Sequence, residues 1–210
     1  MVHKKTVHSA PRQRGRPRAY DADTALAQAM SAFWQFGYSA TSLDQLSDAT
    51  DMNRPSLYAA FGDKRDLYLK TLEHYREESR GLARAALADD PPLKVFLKRF
   101  YDKALELYLD DGPRGCYSIG TAATVAAVDD QVRAFLADSM RSTDSFLKHQ
   151  IEKAKQRGEI AQEADPAALA YLASGTLHTL AVRARAGLPR KELDALADAA
   201  ISVICGRARA

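Results

Sequence analysis

Hydrophobic positions near the start of the chain recur every three to four residues. Leu26, Met30, Phe33 and Trp34 follow this spacing, and Gly37 interrupts it. Apolar residues at such intervals indicate one buried face of a helix, and a glycine just beyond the last of them is a common C-terminal signal. The pattern therefore predicts a first helix that ends before Gly37.

Two shorter helices are predicted next, with a tight turn between them. Thr41 is a natural N-cap for the first, which fades near Thr50. Residues 51–53 have the composition of a turn, and residues 54–61 form the second short helix. Pro55 fits the first turn of that helix because its missing N–H costs no hydrogen bond there. Two short helices joined in this way are typical of a helix-turn-helix.

The rest of the chain is predicted to be helical as well. Asp63 caps a long helix, and a small helix rich in alanine and threonine is expected over residues 116–128. Proline, glycine and aspartate mark the remaining boundaries, which fall at 91–92, 110–113, 129–130, 158, 165–166 and 187–189. No segment shows the two-residue alternation of a strand.

These elements predict an all-α fold with a three-helix N-terminal headpiece. The expected divisions are a basic flexible arm over residues 1–18, a helix-turn-helix DNA-binding domain over 19–65 and a larger helical domain over 66–210.

The composition is that of an ordinary globular protein, with 46% hydrophobic and 27% charged residues among 210. No apolar run approaches the ~20 residues that a membrane helix needs, and the N-terminus lacks the apolar stretch of a secretory signal. Cys116 and Cys205 lie far apart and without CxxC spacing. Two cysteines allow one disulfide, but we expect a cytoplasmic location, where thiols stay reduced. No metal-ligand spacing, catalytic motif or nucleotide-binding motif is present, so we expect no metal, cofactor, membrane association or enzymatic activity.

The positive charge of the chain is concentrated in the arm. Its basic residues are Lys4, Lys5, Arg12, Arg14, Arg16 and Arg18, and no acid accompanies them. The whole chain has a net charge of +3, so the other 192 residues carry a net charge of −3. A basic tail on a mildly acidic body favours a polyanionic partner such as nucleic acid. For residues 1–9, a solubilising leader explains the charge equally well.

The second short helix has the side-chain arrangement of a recognition helix. Leu57 and Phe61 are four residues apart and are expected to face the core, which leaves Arg54, Ser56 and Tyr58 toward DNA. Arg54 can reach a base edge or a phosphate, and Tyr58 can donate its hydroxyl to a phosphate oxygen.

Helix N-termini supply further predicted phosphate contacts. Thr41 and Ser42 stand at the start of one helix, and Lys64 stands just inside another. Free backbone N–H groups at such positions bind phosphate oxygens, so we expect these three residues to contact the DNA backbone.

These residues resemble the TetR family of bacterial repressors. The resemblance rests on residues 32–42 (AFWQFGYSATS), 53–58 (NRPSLY) and 61–64 (FGDK), and it covers about 45 residues, while the rest of the chain matches only in helical layout. It implies a homodimer that reads a palindrome in double-stranded operator DNA. It also implies an unknown small-molecule effector that binds the C-terminal helices and changes the separation of the two DNA-binding units. By the same resemblance, the family's DNA-contact positions are Thr41, Ser42, Arg54, Ser56, Tyr58 and Lys64.

The predicted helix-turn-helix is itself acidic. Residues 19–62 contain five aspartates and one basic residue, Arg54. Because nonspecific affinity grows with the number of phosphates neutralised, the arm is expected to supply the rest of the electrostatic attraction. Arg14, Arg16 and Arg18 alternate with glycine and proline, which keeps the chain extended and slim enough for an A·T-rich minor groove. This run resembles the core of AT-hook peptides; the alternative is a tether that touches phosphates without sequence preference.

Inducer sites in helical domains are apolar cavities that contain a few polar groups. The candidate lining residues are Phe100, Tyr101, Tyr108, Tyr117, Tyr171 and His178. Each of them also fits a core position, and His178 also fits a hydrogen-bonded histidine in the core or in an interface.

Cys116 has two interpretations. It follows Arg114 and Gly115 at a predicted helix start, where the helix dipole and a neighbouring cation lower a thiol pKa. Some TetR-family members carry a cysteine in a similar setting and respond to oxidants or electrophiles. The preferred interpretation is a small buried side chain, and a sensing thiol is the alternative.

The last two predicted helices carry small residues that suit close packing. These are Ser174 to Thr176 in one and an alanine-rich stripe from Leu193 to Ile204 in the other. Two such helices from each subunit can form a four-helix dimer interface, whereas packing within one subunit is the alternative. The family resemblance favours dimerisation.

The sequence and its resemblance to the TetR family together imply a homodimeric repressor that is released from a palindromic operator by a small-molecule or redox effector. A protein-interaction module that applies the helix-turn-helix to a protein partner is the alternative, which the acidic headpiece keeps open.

Overall fold

The computed structural model describes residues 21–206, and the regular elements in that range are all helical. In chain order they are α1 (Ala22–Phe36), α2 (Leu43–Thr50), α3 (Arg54–Phe61), α4 (Lys64–Ala86), α5 (Leu93–Leu109), a π-helical turn (Ser118–Ala122), α6 (Ala123–Val125), α7 (Asp130–Gln156), α8 (Pro166–Arg185) and α9 (Arg190–Ile204). The predicted all-α fold class is confirmed for these residues. The predicted DNA contacts of the arm, Arg14, Arg16 and Arg18, lie outside the described part of the chain.

The prediction that Thr41 caps α2 is wrong. Ser42 is the N-cap: its hydroxyl accepts a hydrogen bond from the Gln45 N–H, and the Gln45 side chain accepts one from the Ser42 N–H. This reciprocal pair requires a Glu or Gln three residues after the cap, which Ser42 has. Thr41 is instead fully buried and donates its hydroxyl to the Gly37 carbonyl oxygen at 2.6 Å.

The small helix predicted over residues 116–128 is broken into two elements, the π-helical turn and α6. A π-helical turn holds more residues than an α-helical turn, so the side chains beyond it are rotated relative to a continuous helix. The Thr121 hydroxyl donates to the Tyr117 carbonyl oxygen at 2.8 Å within this irregular stretch. The irregularity lies beside the cavity described below.

The buried hydrophobic residues form two clusters. One cluster contains residues of the four helices α1, α2, α3 and α4, and it also includes Tyr117 and Val125 from the segment after α5. The other joins α5, α7, α8 and α9 around Phe96 and Leu147. Because Tyr117 belongs to the first cluster, the segment before α6 packs directly against the headpiece.

Candidate DNA-binding surface and ligand cavity

Helix α3 has the burial pattern of a recognition helix. Leu57 and Phe61 are buried, as predicted, and they attach α3 to the headpiece core. Arg54 is exposed, Ser56 is partly exposed, and Tyr58 is 46% exposed. An aromatic side chain so open to solvent has its hydroxyl free to donate outward.

Both ends of α3 are fixed by side chains. The Asn53 side-chain oxygen accepts from the Ser56 N–H at 2.9 Å, which caps the N-terminus. The Lys70 ammonium, from α4, donates to the Phe61 carbonyl oxygen at 2.7 Å at the other end. Helix ends leave backbone groups without partners, so these bonds stabilise α3 as a rigid unit.

Arg54 is oriented by an acid from α2. Its Nε and Nη2 both donate to Asp44 Oδ1, at 3.1 and 2.6 Å, and this pairing raises the pKa of Arg54. The arginine side chain is 52% exposed. An arginine has five N–H donors, so most of them remain available to an outside acceptor.

Lys64, the first residue of α4, lies against an aromatic ring. Its Nζ is 4.6 Å from the Tyr38 ring centroid, and burial lowers the pKa of Lys64. Lys64 stays partly exposed, and Ser42 at the start of α2 is exposed. Thr41 differs from these predicted contacts because no part of it reaches the surface.

A cavity of about 400 Å³ lies between α4, α5, the π-helical turn, α7 and α8. Four of the predicted effector residues line it: Phe100, Tyr108, Cys116 and His178. This volume lies toward the lower end of the range of small-molecule sites, ~300–1,000 Å³.

Three other predicted effector residues do not line this cavity. Tyr101 is fully buried and donates to the Ala173 carbonyl oxygen at 3.0 Å, so it is a core residue. Tyr117 is also fully buried, and its hydroxyl is hydrogen-bonded to the Thr71 hydroxyl at 2.7 Å. Tyr171 is 65% exposed on the outer face of α8.

The expectation of a lowered thiol pKa at Cys116 is wrong. Burial raises the pKa of Cys116, and the weaker lowering by hydrogen bonds, including one from the Tyr75 hydroxyl at 3.3 Å, does not overcome it. The neighbouring cation does not help, because Arg114 turns toward α1. Its guanidinium lies 4.8 Å from the Trp34 ring centroid and donates to the Ser31 hydroxyl.

Sequence reasoning missed the α4 and α7 sides of the cavity. These residues include Tyr75, Arg76, Ser79, Arg80, Arg84, Leu136, Ser139, Met140, Thr143 and Phe146. One sequence feature could have indicated the α4 side of the cavity: Arg76, Arg80 and Arg84 are spaced by four residues, which places them on one face of α4.

A polar junction connects the cavity to the headpiece. Trp34 Nε1, from α1, donates to the Arg114 carbonyl oxygen at 3.1 Å, and Arg185, from α8, donates to the same oxygen at 3.0 Å. We call this the Trp34–Arg114–Arg185 junction. Arg114 lies two residues before Cys116, so a short, hydrogen-bonded segment joins the cavity wall to α1.

Within residues 21–206, no group of three or more side chains is arranged to hold a metal ion. None of the helices described is long and apolar enough to cross a membrane.

Two family models match the chain. The model described as bacterial regulatory proteins, tetR family, matches residues 25–71, which span the headpiece helices. The model described as tetracyclin repressor-like, C-terminal domain, matches residues 96–200, which contain most of the cavity wall.

Several individual proteins are similar to this chain over most of its length. The HTH-type transcriptional repressor ComR of Escherichia coli (strain K12) is 29% identical over 184 residues, which cover 87% of this chain and 88% of ComR. The TetR family transcriptional regulator CifR, solved as a cysteine mutant complexed with 26 bp double-strand operator DNA, is 31% identical with a TM-score of 0.82. That likeness covers 89% of this chain and 98% of CifR. A TetR-family regulator from Cytophaga hutchinsonii shares the fold at 20% identity and a TM-score of 0.77, covering 87% and 92% of the two chains.

Proposed function

The chain belongs to the tetR family of bacterial regulatory proteins, and from this premise we propose that it is a transcriptional repressor whose α3 binds operator DNA. The observation that carries the proposal is the pairing of Arg54 with Asp44. This pairing holds an exposed guanidinium at the N-terminus of a helix that is fixed at both ends. A pre-oriented arginine suits bidentate reading of a guanine in the major groove.

The relatives support repression and an operator as the ligand. ComR is named as a repressor, and CifR was solved with its operator DNA. In our proposal Arg54, Ser56 and Tyr58 contact bases or nearby phosphates, while Ser42 and Lys64 contact phosphates at helix N-termini. Thr41 holds the chain that leads into Ser42 and makes no side-chain contact with DNA.

We further propose that the protein is a homodimer that pairs through α8 and α9. Large apolar side chains are exposed on these helices: Tyr171 is 65% exposed, Val182 57% and Val203 66%. We infer that these exposed side chains belong to one interaction surface. A second copy presenting the same face would bury them in a four-helix arrangement.

The proposed effector is a small molecule that binds the cavity. Cys116, Ser118 and Ile119 form part of the cavity wall and follow closely on the Trp34–Arg114–Arg185 junction. A ligand that displaces this segment therefore moves α1 relative to α8 and changes the position of α3. A redox effector at Cys116 is less favoured, because burial raises the pKa of the thiol and the reactive thiolate becomes scarce.

Binding to the chain's own upstream DNA, measured by fluorescence anisotropy at two salt concentrations, tests the proposal. We expect sequence-specific binding that weakens with salt, and a loss of about 5- to 150-fold in the Arg54→Ala variant, equivalent to ~1–3 kcal/mol. Arg99→Ala, which removes an exposed arginine from α5, is the matched control and should bind as the wild type does. Equal binding to unrelated DNA, or no effect of Arg54→Ala, would contradict the proposal.

Deletion of residues 1–18 tests the arm separately. If the arm neutralises phosphates, the salt slope of the truncated protein should be smaller by ~0.9 for each phosphate that the arm neutralises in the full chain. An unchanged slope would remove the arm from the DNA-binding surface.

A further inference from the structure

The charged side chains that line the cavity are of one sign. Arg76, Arg80 and Arg84 line it from α4, and no aspartate or glutamate among residues 21–206 does so. His178, from α8, also lines the cavity, and burial lowers its pKa, which keeps its side chain neutral near pH 7. The positive charge of the cavity is therefore confined to its α4 side.

The three arginines differ in how far they are neutralised. Arg76 is paired with Glu73 and Asp138, and Arg80 donates one N–H to Glu77 at 2.5 Å. Arg84 makes no ion pair within the described part of the chain. Since the pairing acids do not line the cavity, Arg84 and the remaining donors of Arg80 are available to an anion inside it.

The α7 side of the cavity has a hydroxyl without a partner. Ser139 lines the cavity, and its Oγ is shielded from solvent and has no hydrogen-bond partner among the described residues. A buried hydroxyl in this state costs ~1–3 kcal/mol, which a bound acceptor removes.

The remaining wall is apolar and aromatic. Phe100 and Phe146 lie with ring centroids 6.3 Å apart, and Leu177 lines the cavity beside His178. This part of the wall suits a hydrophobic body rather than a second charged group.

We propose that the cavity binds an amphipathic organic acid, whose carboxylate lies among Arg80, Arg84 and Ser139 and whose apolar body lies against Phe100 and Phe146. This inference rests on the proposed function, because it names the class of the effector. A carboxylate forms strong charge-assisted hydrogen bonds with guanidinium groups. A neutral ligand of the same shape would cover Arg84 without giving it a partner, and an amine would be repelled.

Isothermal titration calorimetry of the full chain without DNA tests the ligand class. The probes are two matched sets: 4-butylbenzoate, 4-butylbenzyl alcohol and 4-butylbenzylamine, and octanoate, octanol and octylamine. In at least one set we expect the acid to bind at least tenfold more tightly than the alcohol, and the amine not to bind detectably. If in both sets the acid binds no more tightly than the alcohol, or no probe binds, the proposal is overturned.

Substitutions locate the carboxylate. Arg80→Gln and Arg84→Gln should each weaken binding of the acid about tenfold and leave binding of the alcohol unchanged, and Ser139→Ala should weaken the acid alone. Arg99→Gln is the matched control on α5 and should change neither. An Arg80→Gln/Arg84→Gln double variant that binds the acid as the wild type does would overturn the proposed site.

Operator binding by the same protein samples keeps the two proposals apart. If specific operator binding is present and no acid preference is found, only the ligand class fails. If the acid is preferred but specific DNA binding is absent, the repressor function fails instead. Operator binding by the variants in the absence of acid also verifies that they are folded.

Discussion

Asp129 connects the beginnings of two long helices, and its replacement yields a graded prediction. Its carboxylate caps α7 by accepting from the Gln131 and Val132 N–H groups at 3.0 and 3.1 Å. It also accepts from Arg65 Nε and Nη2 at 2.5 and 3.0 Å, which ties α7 to the first turn of α4. Asp129→Asn keeps the capping oxygen and removes the charge, whereas Asp129→Ala removes both.

The magnitude follows from the pKa and the exposure of the pair. The hydrogen bond from Arg65 is the largest cause that lowers the pKa of Asp129, from 3.8 to about 2. Full conversion of that shift would give roughly 2.5 kcal/mol. The Arg65 side chain is 41% exposed, so solvent screens its interaction with Asp129. Part of the pKa shift also comes from the backbone N–H groups that Asp129 caps. We therefore expect Asp129→Asn to cost about 1 kcal/mol, and Asp129→Ala about 2 kcal/mol because loss of a cap adds ~1 kcal/mol.

The pH dependence has a definite sign. A carboxyl group whose pKa is lower in the folded protein stabilises it above the unfolded value of 3.8, and this contribution is lost as the pH falls toward 2. The difference between the wild type and Asp129→Asn should therefore be constant near neutral pH and shrink on acidification below pH 4.

Thermal unfolding and urea unfolding, both monitored by circular dichroism at one fixed protein concentration, measure these differences as melting temperatures and free energies. At pH 7 we expect the order wild type, Asp129→Asn, Asp129→Ala, with melting temperatures lower by about 3 °C and about 6 °C. If Asp129→Asn is as stable as the wild type at pH 7, or if its deficit does not shrink in acid, the pair with Arg65 does not stabilise the fold as argued.

Three further changes have expected outcomes that unfolding experiments can measure. Gly115 has φ +66°, and a Cβ there would lie 2.5 Å from a carbonyl oxygen of α8, so Gly115→Ala should cost at least ~2 kcal/mol. Gly81 lies in open space on α4, so Gly81→Ala should instead stabilise the protein by ~0.5–1 kcal/mol. Equal effects of the two substitutions would refute the steric argument. Thr71→Val leaves the buried Tyr117 hydroxyl without its partner and should cost ~1–3 kcal/mol; a neutral effect would mean that this bond contributes nothing. Burial lowers the pKa of His178, so its contribution to stability should fall as the pH drops below ~6.5, and His178→Gln should reduce that fall; identical pH profiles would contradict it.

The headpiece was predictable because its helix boundaries are set by local signals. Asn53, Pro55 and Gly62 bound α3 through capping, a fixed φ and a positive φ, and each acts within a few residues of the chain. The same holds for Asp63 at the start of α4, where Asp66 completes a capping box. Thr41 and Ser42 are both suitable cap residues by type, and Gln45, three residues after Ser42, makes Ser42 the cap.

The cavity was less predictable, because its wall depends on contacts between helices that are distant in sequence. Phe100, Tyr108, Cys116 and His178 line it, while Tyr101, adjacent to Phe100, turns toward α8 and bonds the Ala173 carbonyl oxygen. One residue along a helix rotates the side chain by about 100°, so composition alone does not separate the two environments.

The direction of Arg114 was unpredictable for the same reason. Its attraction to Trp34 joins residues 80 positions apart, and no local pattern encodes it. The predicted influence of Arg114 on Cys116 failed because the sequence neighbour is not the spatial neighbour.

The short distance along the chain between Arg114 and Cys116 matters to anyone who would convert this protein into a biosensor. If the cavity binds the effector as proposed, substitutions at Cys116, Ser118 and Ile119 alter the ligand site close to the Trp34–Arg114–Arg185 junction, so variants selected for a new compound should also change the output of an uninduced reporter. Met140, Phe146 and Leu177 line the same cavity from α7 and α8, away from the junction. On the same premise, diversity placed at those three positions should change which compound the sensor detects while its background signal stays constant.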